Sequence, residues 1–249
     1  MSQPAATHRV SLIINADDLG LSEAVNEKIF QLMDEGKLRS ASLLMNGLAV
    51  DQALSRLDRY PGCSFGVHLN ITHGIPLTPP SELQPLLDAE GRLTEGWDPN
   101  LLTRSLQEAV FSEWSAQIDK ALAAGVNVSH LDSHHHVHRL APLFSTLTRM
   151  QRQYGIRRLR GSWTIFPDAG TGYPYDDDRA WKETRTTRSF TSLSTFMHHF
   201  GHGQAIPAST LWELMTHPGS PYDGDSAILQ GPWQASLAFP VEIHSFHEL

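Results

Sequence analysis

The chain has 249 residues, of which 40% are hydrophobic and 18% are charged, and its formal net charge is −8. These values are typical of a globular protein, and the acidic balance without a long basic tract argues against nucleic-acid binding. Cys63 is the only cysteine, which excludes an intrachain disulfide and a cysteine-based zinc cluster. No run of about eighteen apolar residues and no apolar signal-peptide core is present, so we expect a cytoplasmic protein without a membrane span.

Strand-like and helix-like segments alternate along the first third of the sequence. Short apolar runs rich in β-branched residues indicate strands, and apolar residues at a spacing of about 3.6 indicate helices. Serine before such a segment and glycine after it mark the ends of a helix. The predicted segments are a strand at Ser11–Asn15, a helix from Ser22 to Gly36, a strand at Ala41–Asn46, a short helix at Asp51–Arg59 and a strand at Phe65–Leu69.

The alternation continues to residue 161 and then becomes irregular. The predicted segments are a long amphipathic helix at Leu101–Ala124 whose apolar stripe includes Leu122, a strand at Val126–Asp132, a helix at Pro142–Tyr154, and strands at Arg157–Gly161 and Thr210–Met215. The segment Ser162–Arg188 has no clear period. Its aromatic residues could stack on sugar rings, although packing within a loop is the favoured alternative; they are Trp163, Tyr173, Tyr175 and Trp181.

Alternating strands and helices predict an α/β fold with a parallel sheet, either open or closed into a barrel. The sequence has no internal repeat, no low-complexity tract and no evident linker. We therefore expect residues 1–249 to form a single domain.

Polar residues collect at the carboxyl ends of four predicted strands. The four groups are Asn15–Asp18, Gly66–Asn70, Asp132–His136 and Thr216–Pro218. In parallel β/α folds the carboxyl ends of the strands share one face, where active sites form. Groups that are distant in sequence are therefore expected to meet in one site.

Each group also has a structural interpretation. Asp17 and Asp18 could simply be turn residues or the acidic start of a helix. In the functional interpretation one carboxylate binds a metal and the other accepts a proton, which adjacent residues of an extended segment can do because they face opposite directions. His68 alone is more often a packed core histidine than a ligand. His217, in a turn before Pro218, has the chemistry of a general acid but could equally be an ordinary loop histidine.

Five of the fourteen histidines lie between His130 and His138. If the strand conformation continued, His134, His136 and His138 would share one face and His135 would lie on the other, so at most two could reach a common metal. Two histidines and one carboxylate with open positions for water form a known hydrolytic metal site. The same ligands serve non-haem iron oxygenases, which are usually built on β-rich barrels.

Four segments resemble the signatures of the YdjC-like (ChbG-like) carbohydrate deacetylases, and they occur in the family's order. They are Asn15–Ser22, Gly66–Leu69, His130–His138 and Met215–Pro218, and the resemblance extends from about Leu12 to Gly219. The family is similar in mechanism to the NodB-type polysaccharide deacetylases. The resemblance therefore implies an irregular, TIM-barrel-like (β/α) barrel that removes an N-acetyl group from an amino sugar and releases acetate.

The resemblance also implies roles for individual residues. Asp18, His68 and His134 would hold one divalent metal ion, either zinc or magnesium, with manganese and cobalt as alternatives. Asp17 would be the general base, although the roles of the two aspartates could be reversed. His217 would assist the leaving amine or the oxyanion.

Arg160 matches a family arginine near the substrate, with an interior ion-pair residue as the alternative. The C-terminal region departs from the family pattern. The family usually continues after Pro221 through another helix and a final strand, whereas this chain ends soon after. We therefore expect an open barrel edge that a second copy of the chain could cover in a homodimer. A metal-dependent phosphoesterase and a non-catalytic sugar-binding protein remain alternative functions.

Overall fold

The computed structural model describes residues 9–161, 164–165, 183–187, 189–206, 211–221 and 223–249. The aromatic residues proposed above to stack on sugars lie outside these ranges; they are Trp163, Tyr173, Tyr175 and Trp181. None of the helices in the described ranges is long and apolar enough to cross a membrane.

Within the described residues, nine strands form one sheet in which every paired neighbour is parallel. The strands are β1 (Val10–Leu19), β2 (Ser40–Leu43), β3 (Ser64–Leu69), β4 (Val128–Ser133), β5 (Arg158–Leu159), β6 (Arg185–Thr186), β7 (Ser189–Ser192), β8 (Leu211–Thr216) and β9 (Val241–His244). Their order is β6-β5-β4-β3-β2-β1-β8-β7, and β9 pairs with the first half of β1.

The helices connect successive strands and cover the sheet. They are α1 (Glu23–Asp34), α2 (Val50–Leu54), α3 (Arg104–Ala123), α4 (Phe144–Tyr154), α5 (Leu193–Phe200) and α6 (Asp225–Gln230). Ser22 caps α1 by accepting a hydrogen bond from the backbone N–H of Val25. Gly155 ends α4 in the left-handed conformation, with a φ of 67°. Both helix boundaries follow the signals that predicted them.

The sheet is strongly curved, because side chains from strands that are not neighbours meet inside it. Arg160, which directly follows β5, contacts Asp17 of β1 and Glu213 of β8. The β1 segment that carries these contacts is buried throughout, as expected for a strand covered on both faces. This curved parallel sheet with surrounding helices confirms the predicted α/β class.

The structure differs from the predicted elements where strands are short. The prediction did not include β6 or β7, because strands of two and four residues carry too little alternation to be distinguished from loops. It also did not include the eight-residue helix α5. In α3 the predicted apolar stripe holds at Leu106, Val110 and Trp114, which are buried, but Leu122 is 45% exposed near the end of the helix.

The expectation that a helix and a final strand are missing after Pro221 is wrong. The chain forms α6 and then β9, and β9 pairs with β1 from Val10 opposite Val241 onward. Phe246, two residues after the end of β9, is buried and stacks on His130, with ring centroids 3.7 Å apart. The sequence signal was weak because β9 is only four residues long and partly exposed. The homodimer stays a prediction.

β6 and β7 stand at the two ends of the strand order in the described part of the chain. The segment after β5 links the two sides there. The backbone N–H of Thr164 donates to the carbonyl of Phe190 in β7, at 2.8 Å. The side chain of Thr191 donates to the carbonyl of Ile165. These hydrogen bonds join the segment after β5 to β7. Among the described residues they do not form a continuous ladder of backbone hydrogen bonds between β6 and β7.

Candidate metal centre and active site

An open cavity of about 550 Å³ lies at the carboxyl ends of the strands. It is lined by residues that include Asp17, Asp18, His68, His134, His217 and Asp225. The structure therefore brings together the four polar groups that are separated in sequence. The parallel topology explains this, since β1, β3, β4 and β8 all end at this face.

The two adjacent aspartates point into different environments because the backbone turns between them. Asp18 has a φ of 67°, a conformation that aspartate tolerates better than most non-glycine residues. Its carbonyl accepts the N–H of Leu21, and the N–H of Gly20 donates to the Asn26 side chain, which fixes the turn into α1. The carboxylate of Asp18 faces the histidines, and that of Asp17 faces the interior.

Asp18, His68 and His134 place one potential ligand atom each within 4.8 Å of the others. Asp18 Oδ1 lies 2.9 Å from His134 Nδ1 and 3.5 Å from His68 Nε2. Ligand atoms around a tetrahedral zinc ion stand roughly 3 to 3.5 Å apart, so this spacing suits a divalent cation. Asp18 Oδ1 is buried, and no described donor is well directed at it. The residues present therefore fit a metal ion.

The charges of this group are strongly coupled. Burial alone would raise the pKa of Asp18, but the imidazoles of His134, His68 and His217 hold it well below its ordinary range. Burial opposes protonation of His68, yet the carboxylates of Asp132 and Asp17 outweigh it and raise the pKa of His68 to about 9.

Asp132 orients His68 from behind. Asp132 Oδ1 lies 2.8 Å from His68 Nδ1, which directs Nε2 toward Asp18. The other oxygen, Oδ2, accepts the hydroxyl of Ser42 at 2.8 Å and contacts Arg160 at 2.9 Å. Asp17, His68 and Asp132 also form a group with metal-ligand spacing. Its carboxylate oxygens already have close donors, which makes it a poorer cation site than the group around Asp18.

Asp17 is bound on both oxygens by one guanidinium. Arg160 Nη1 donates to Oδ2 at 2.7 Å and Nη2 donates to Oδ1 at 2.6 Å. The amide of Asn15 adds a donor to Oδ1 at 2.8 Å. Asp17 Oδ2 is also 3.9 Å from His68 Nε2, so the carboxylate lies beside the candidate ligands. This bidentate geometry fixes the orientation of Asp17 at the cavity wall.

Arg160 is only 2% exposed and is absent from the described cavity lining. Its Nε donates to Glu213 Oε1 at 2.6 Å. Together with Asp17 and Asp132, Glu213 gives this cation three carboxylate partners. The geometry favours the interior ion-pair interpretation of Arg160 over direct contact with a substrate. Burial raises the pKa of Glu213 to about 7, although Arg160 opposes the shift.

His217 follows β8 and reaches the cavity from the side opposite β4. Its backbone N–H donates to Asp225 Oδ2 at 3.1 Å, which ties the turn after β8 to the start of α6. Burial raises the pKa of Asp225, and the hydrogen bond from His217 opposes that rise. Sequence reasoning missed Asp225 because it did not predict α6. The available signal was an aspartate eight residues after His217, the candidate general acid.

The histidine string does not continue as a strand, so the expected alternation of faces is wrong. β4 ends at Ser133, and a 3₁₀ turn follows in which His135 and His136 have φ values of 50° and 55°. Ser133 Oγ accepts the backbone N–H of His138 and so stabilises the turn. In the described chain, His134 is the member of the string that joins a group with metal-ligand spacing.

Several proteins of known name resemble this chain in sequence. A carbohydrate deacetylase of Brevibacillus brevis is 30% identical over 234 residues, which cover 89% of this chain and 85% of that protein. A carbohydrate deacetylase of Halalkalibacterium halodurans is 37% identical over 59% of this chain and 62% of its own. A chitooligosaccharide deacetylase of Klebsiella pneumoniae is 35% identical over 58% of this chain and 57% of its own.

A solved structure shares the fold. A protein of Enterococcus faecalis V583, provisionally described as a cellobiose-phosphate cleavage protein, superposes with a TM-score of 0.75 over 96% of this chain and 98% of its own, at 22% identity. The family model described as YdjC-like protein matches residues 11–242. The match spans the cavity residues of β1, β3, β4 and β8, together with α6 and the start of β9. The chain therefore belongs to the YdjC-like family.

Proposed function

We propose that this protein is a metal-dependent carbohydrate deacetylase that hydrolyses the acetamide of an N-acetylated amino sugar and releases acetate. The observation that carries the proposal is the meeting of Asp18, His68 and His134 beside Asp17 and His217 in one open cavity. The names of the Brevibacillus, Halalkalibacterium and Klebsiella relatives support it. We infer a substrate of the N-acetylglucosamine type, as an oligosaccharide or glycoconjugate.

Asp18, His68 and His134 would hold the cation. A divalent ion at this position would supply Lewis acidity toward the acetamide carbonyl and the attacking water. Two imidazoles and one carboxylate favour zinc, whereas a solvent-accessible site also admits magnesium. Asp132 holds His68 in the tautomer that leaves Nε2 free to bind.

Asp17 would act as the general base. Arg160 holds both of its oxygens, so the carboxylate keeps one orientation beside the candidate ligands. A water placed between Asp17 and the substrate carbonyl would transfer a proton to the carboxylate as its oxygen bonds to carbon. Asp18 is the less suitable base, because its contacts with the imidazoles of His68 and His134 support a role as a ligand.

His217 would act as the general acid on the other side of the substrate. Its imidazole would give a proton to the nitrogen of the acetamide as the carbon–nitrogen bond breaks. Asp225 holds the His217 backbone and so limits where the imidazole can reach. The balanced outcome is one water consumed, one acetate released and one free amine left on the sugar.

The decisive experiment measures acetate released from short N-acetylglucosamine oligomers and a wider panel of N-acetyl sugars. We expect release that a chelator abolishes and that zinc or magnesium restores. Absence of metal-dependent release across the panel would overturn the proposal in favour of a sugar-binding protein. Two bound metal ions per chain together with no acetate release would instead favour a phosphoesterase.

Replacement of the base separates the roles of the two aspartates. Asp17→Asn should lower kcat by about two to four orders of magnitude while the bound metal is retained. Metal content is measured on the same preparation by elemental analysis. Loss of metal from Asp17→Asn would mean that Asp17 is the ligand and Asp18 the base.

A further inference from the structure

We infer that Glu213 is a positioning residue for the reaction and acts on Asp17 through Arg160. The inference rests on the proposed function, and it concerns a carboxylate that does not line the described cavity. Glu213 lies in β8, is fully buried and faces the barrel interior. Arg160 lies between Glu213 and Asp17 and is hydrogen-bonded to both.

The geometry of the guanidinium gives Glu213 this role. Arg160 Nε donates to Glu213 Oε1 at 2.6 Å, and the two terminal nitrogens of the same group donate to the oxygens of Asp17. A guanidinium is planar and rigid, so fixing the Nε edge also fixes the plane of the fork. Glu213 therefore helps to determine the orientation of the proposed base, Asp17, although it contacts Arg160 and not Asp17 itself.

Glu213 itself is held by its neighbours. Its second oxygen accepts the hydroxyl of Thr187 at 3.3 Å. Its backbone is paired on one side with Ile13 of β1 and on the other with Phe190 of β7. The ring of Phe190 lies 5.0 Å from Arg160 Cζ, which restricts the guanidinium on a further side. These contacts leave little freedom for the pair to move as a unit.

Charge neutralisation alone does not explain a glutamate here. Asp17 and Asp132 already place two carboxylates against the single positive charge of Arg160. A third buried carboxylate adds a desolvation penalty, and an apolar residue would often be at least as stable in its place. A fixed hydrogen-bond acceptor at Nε is what Glu213 adds, and it is a geometric contribution.

The test compares Glu213→Leu with Glu113→Leu, since Glu113 is also a fully buried glutamate but is bound to Leu77, Thr78 and Gln117. Leucine removes the acceptor at Nε, so Glu213→Leu should lower kcat for acetate release by about ten- to a hundredfold with KM and metal content within twofold of the wild type. Glu213→Gln, which keeps an acceptor oxygen for Nε, should retain most of the wild-type kcat. Glu113→Leu should retain kcat within twofold. Equal losses of kcat in Glu213→Leu and Glu113→Leu would overturn the inference, as would a wild-type kcat in Glu213→Leu.

A double-mutant cycle with Arg160→Lys tests the route. If Glu213 acts through Arg160, the double variant should be no slower than Arg160→Lys alone. Additive losses would contradict the inference. If Glu213→Leu does not fold, Thr187→Val replaces it. This variant removes only the hydroxyl that donates to Glu213 Oε2 and should lower kcat a few-fold at constant KM, whereas an unchanged kcat would count against the role. A wild-type enzyme that releases no acetate would instead refute the proposed function.

Discussion

Asp17 and Asp18 are neighbours in sequence but belong to two different layers of the molecule. Asp18 belongs to the mouth, which we define as Asp18, His68, His134 and His217. Asp17 connects it with the interior cluster, which we define as Asp17, Asp132, Arg160 and Glu213. Every member of the interior cluster is buried, whereas in the mouth Asp18 and His68 are buried and His134 and His217 are partly exposed.

The two layers differ in how completely their polar atoms are satisfied. In the interior cluster Arg160 uses its donors on three carboxylates at distances between 2.6 and 2.9 Å. In the mouth, Asp18 Oδ1 is buried without a well-directed donor. A layer whose polar atoms all have partners keeps its side chains in fixed positions. A layer with an unsatisfied buried polar atom is suited to bind a ligand. The difference predicts that metal loss alters the mouth and leaves the interior cluster intact.

Replacing the carboxylate of the mouth should have the largest effect. Asp18→Asn removes the one anionic ligand, so we expect bound metal to be lost and acetate release to fall by at least about two orders of magnitude. Elemental analysis and initial rates measure the two effects. Asp51→Asn, at an exposed position of α2, is the matched control and should retain both. Full metal occupancy in Asp18→Asn would mean that the mouth does not bind the metal through Asp18, and the distinction between the two layers would be wrong.

Asp132→Asn should have the next largest effect, because Asp132 connects the layers. The asparagine side chain has one acceptor oxygen where the carboxylate has two, so His68 loses part of the contact that orients its Nε2 toward Asp18. We expect metal affinity to fall about 10- to 100-fold. Titration with zinc against a competing chelator measures it. Unchanged affinity would mean that backbone packing alone positions His68.

A third prediction concerns the base of the barrel. A Cβ added at Gly66 would lie 2.5 Å from Nε2 and Cε1 of the buried His130 ring. Gly66→Ala should therefore lower the free energy of unfolding by about 1 to 3 kcal/mol, measured by urea denaturation. At Gly62 the same Cβ meets no atom within 4 Å, so Gly62→Ala should change stability little. Equal effects at the two glycines would contradict the packing argument.

The sequence predicted that polar residues at strand ends meet at one face, because parallel topology brings such residues together, and the cavity contains members of all four groups. The choice of Asp18, His68 and His134 as metal ligands came from the family resemblance and stays a prediction. Glu213 gave no such signal, because a glutamate in the middle of an apolar strand has meaning only once its partner across the barrel is known. Long-range pairing of this kind does not follow from local periodicity.

The sequence also predicted long elements better than short ones. The helix of about twenty residues that contains Trp114 was clear from its apolar stripe. The four-residue strand β9 was missed because it is short and its side chains are partly exposed. The left-handed turn at His135 and His136 was missed for a different reason, since neither residue is glycine or asparagine.

The buried ring of His130 allows the interior of the protein to be tested by pH. Burial lowers the pKa of His130 from its ordinary value of 6.5 to about 3, with Arg160 adding to the shift and Asp132 opposing it. The unfolded chain therefore binds a proton below about pH 6.5 that the folded chain does not accept until about pH 3. Stability contributed by the neutral ring is present above pH 6.5 and is lost as the pH falls.

His130→Gln should make unfolding free energy less dependent on pH between about 6 and 4, by about 1.4 kcal/mol per pH unit. His138, whose pKa burial also lowers to about 3, keeps the remaining slope similar in both proteins, so the difference isolates one proton. Ser129→Ala removes only the hydroxyl 2.8 Å from His130 Nδ1 and should preserve the wild-type slope. Parallel curves for the wild type and His130→Gln would mean that the ring reaches solvent. Water would then reach the neighbourhood of the interior cluster. The distinction between the interior cluster and the mouth would fail, because it depends on the exclusion of water from the cluster.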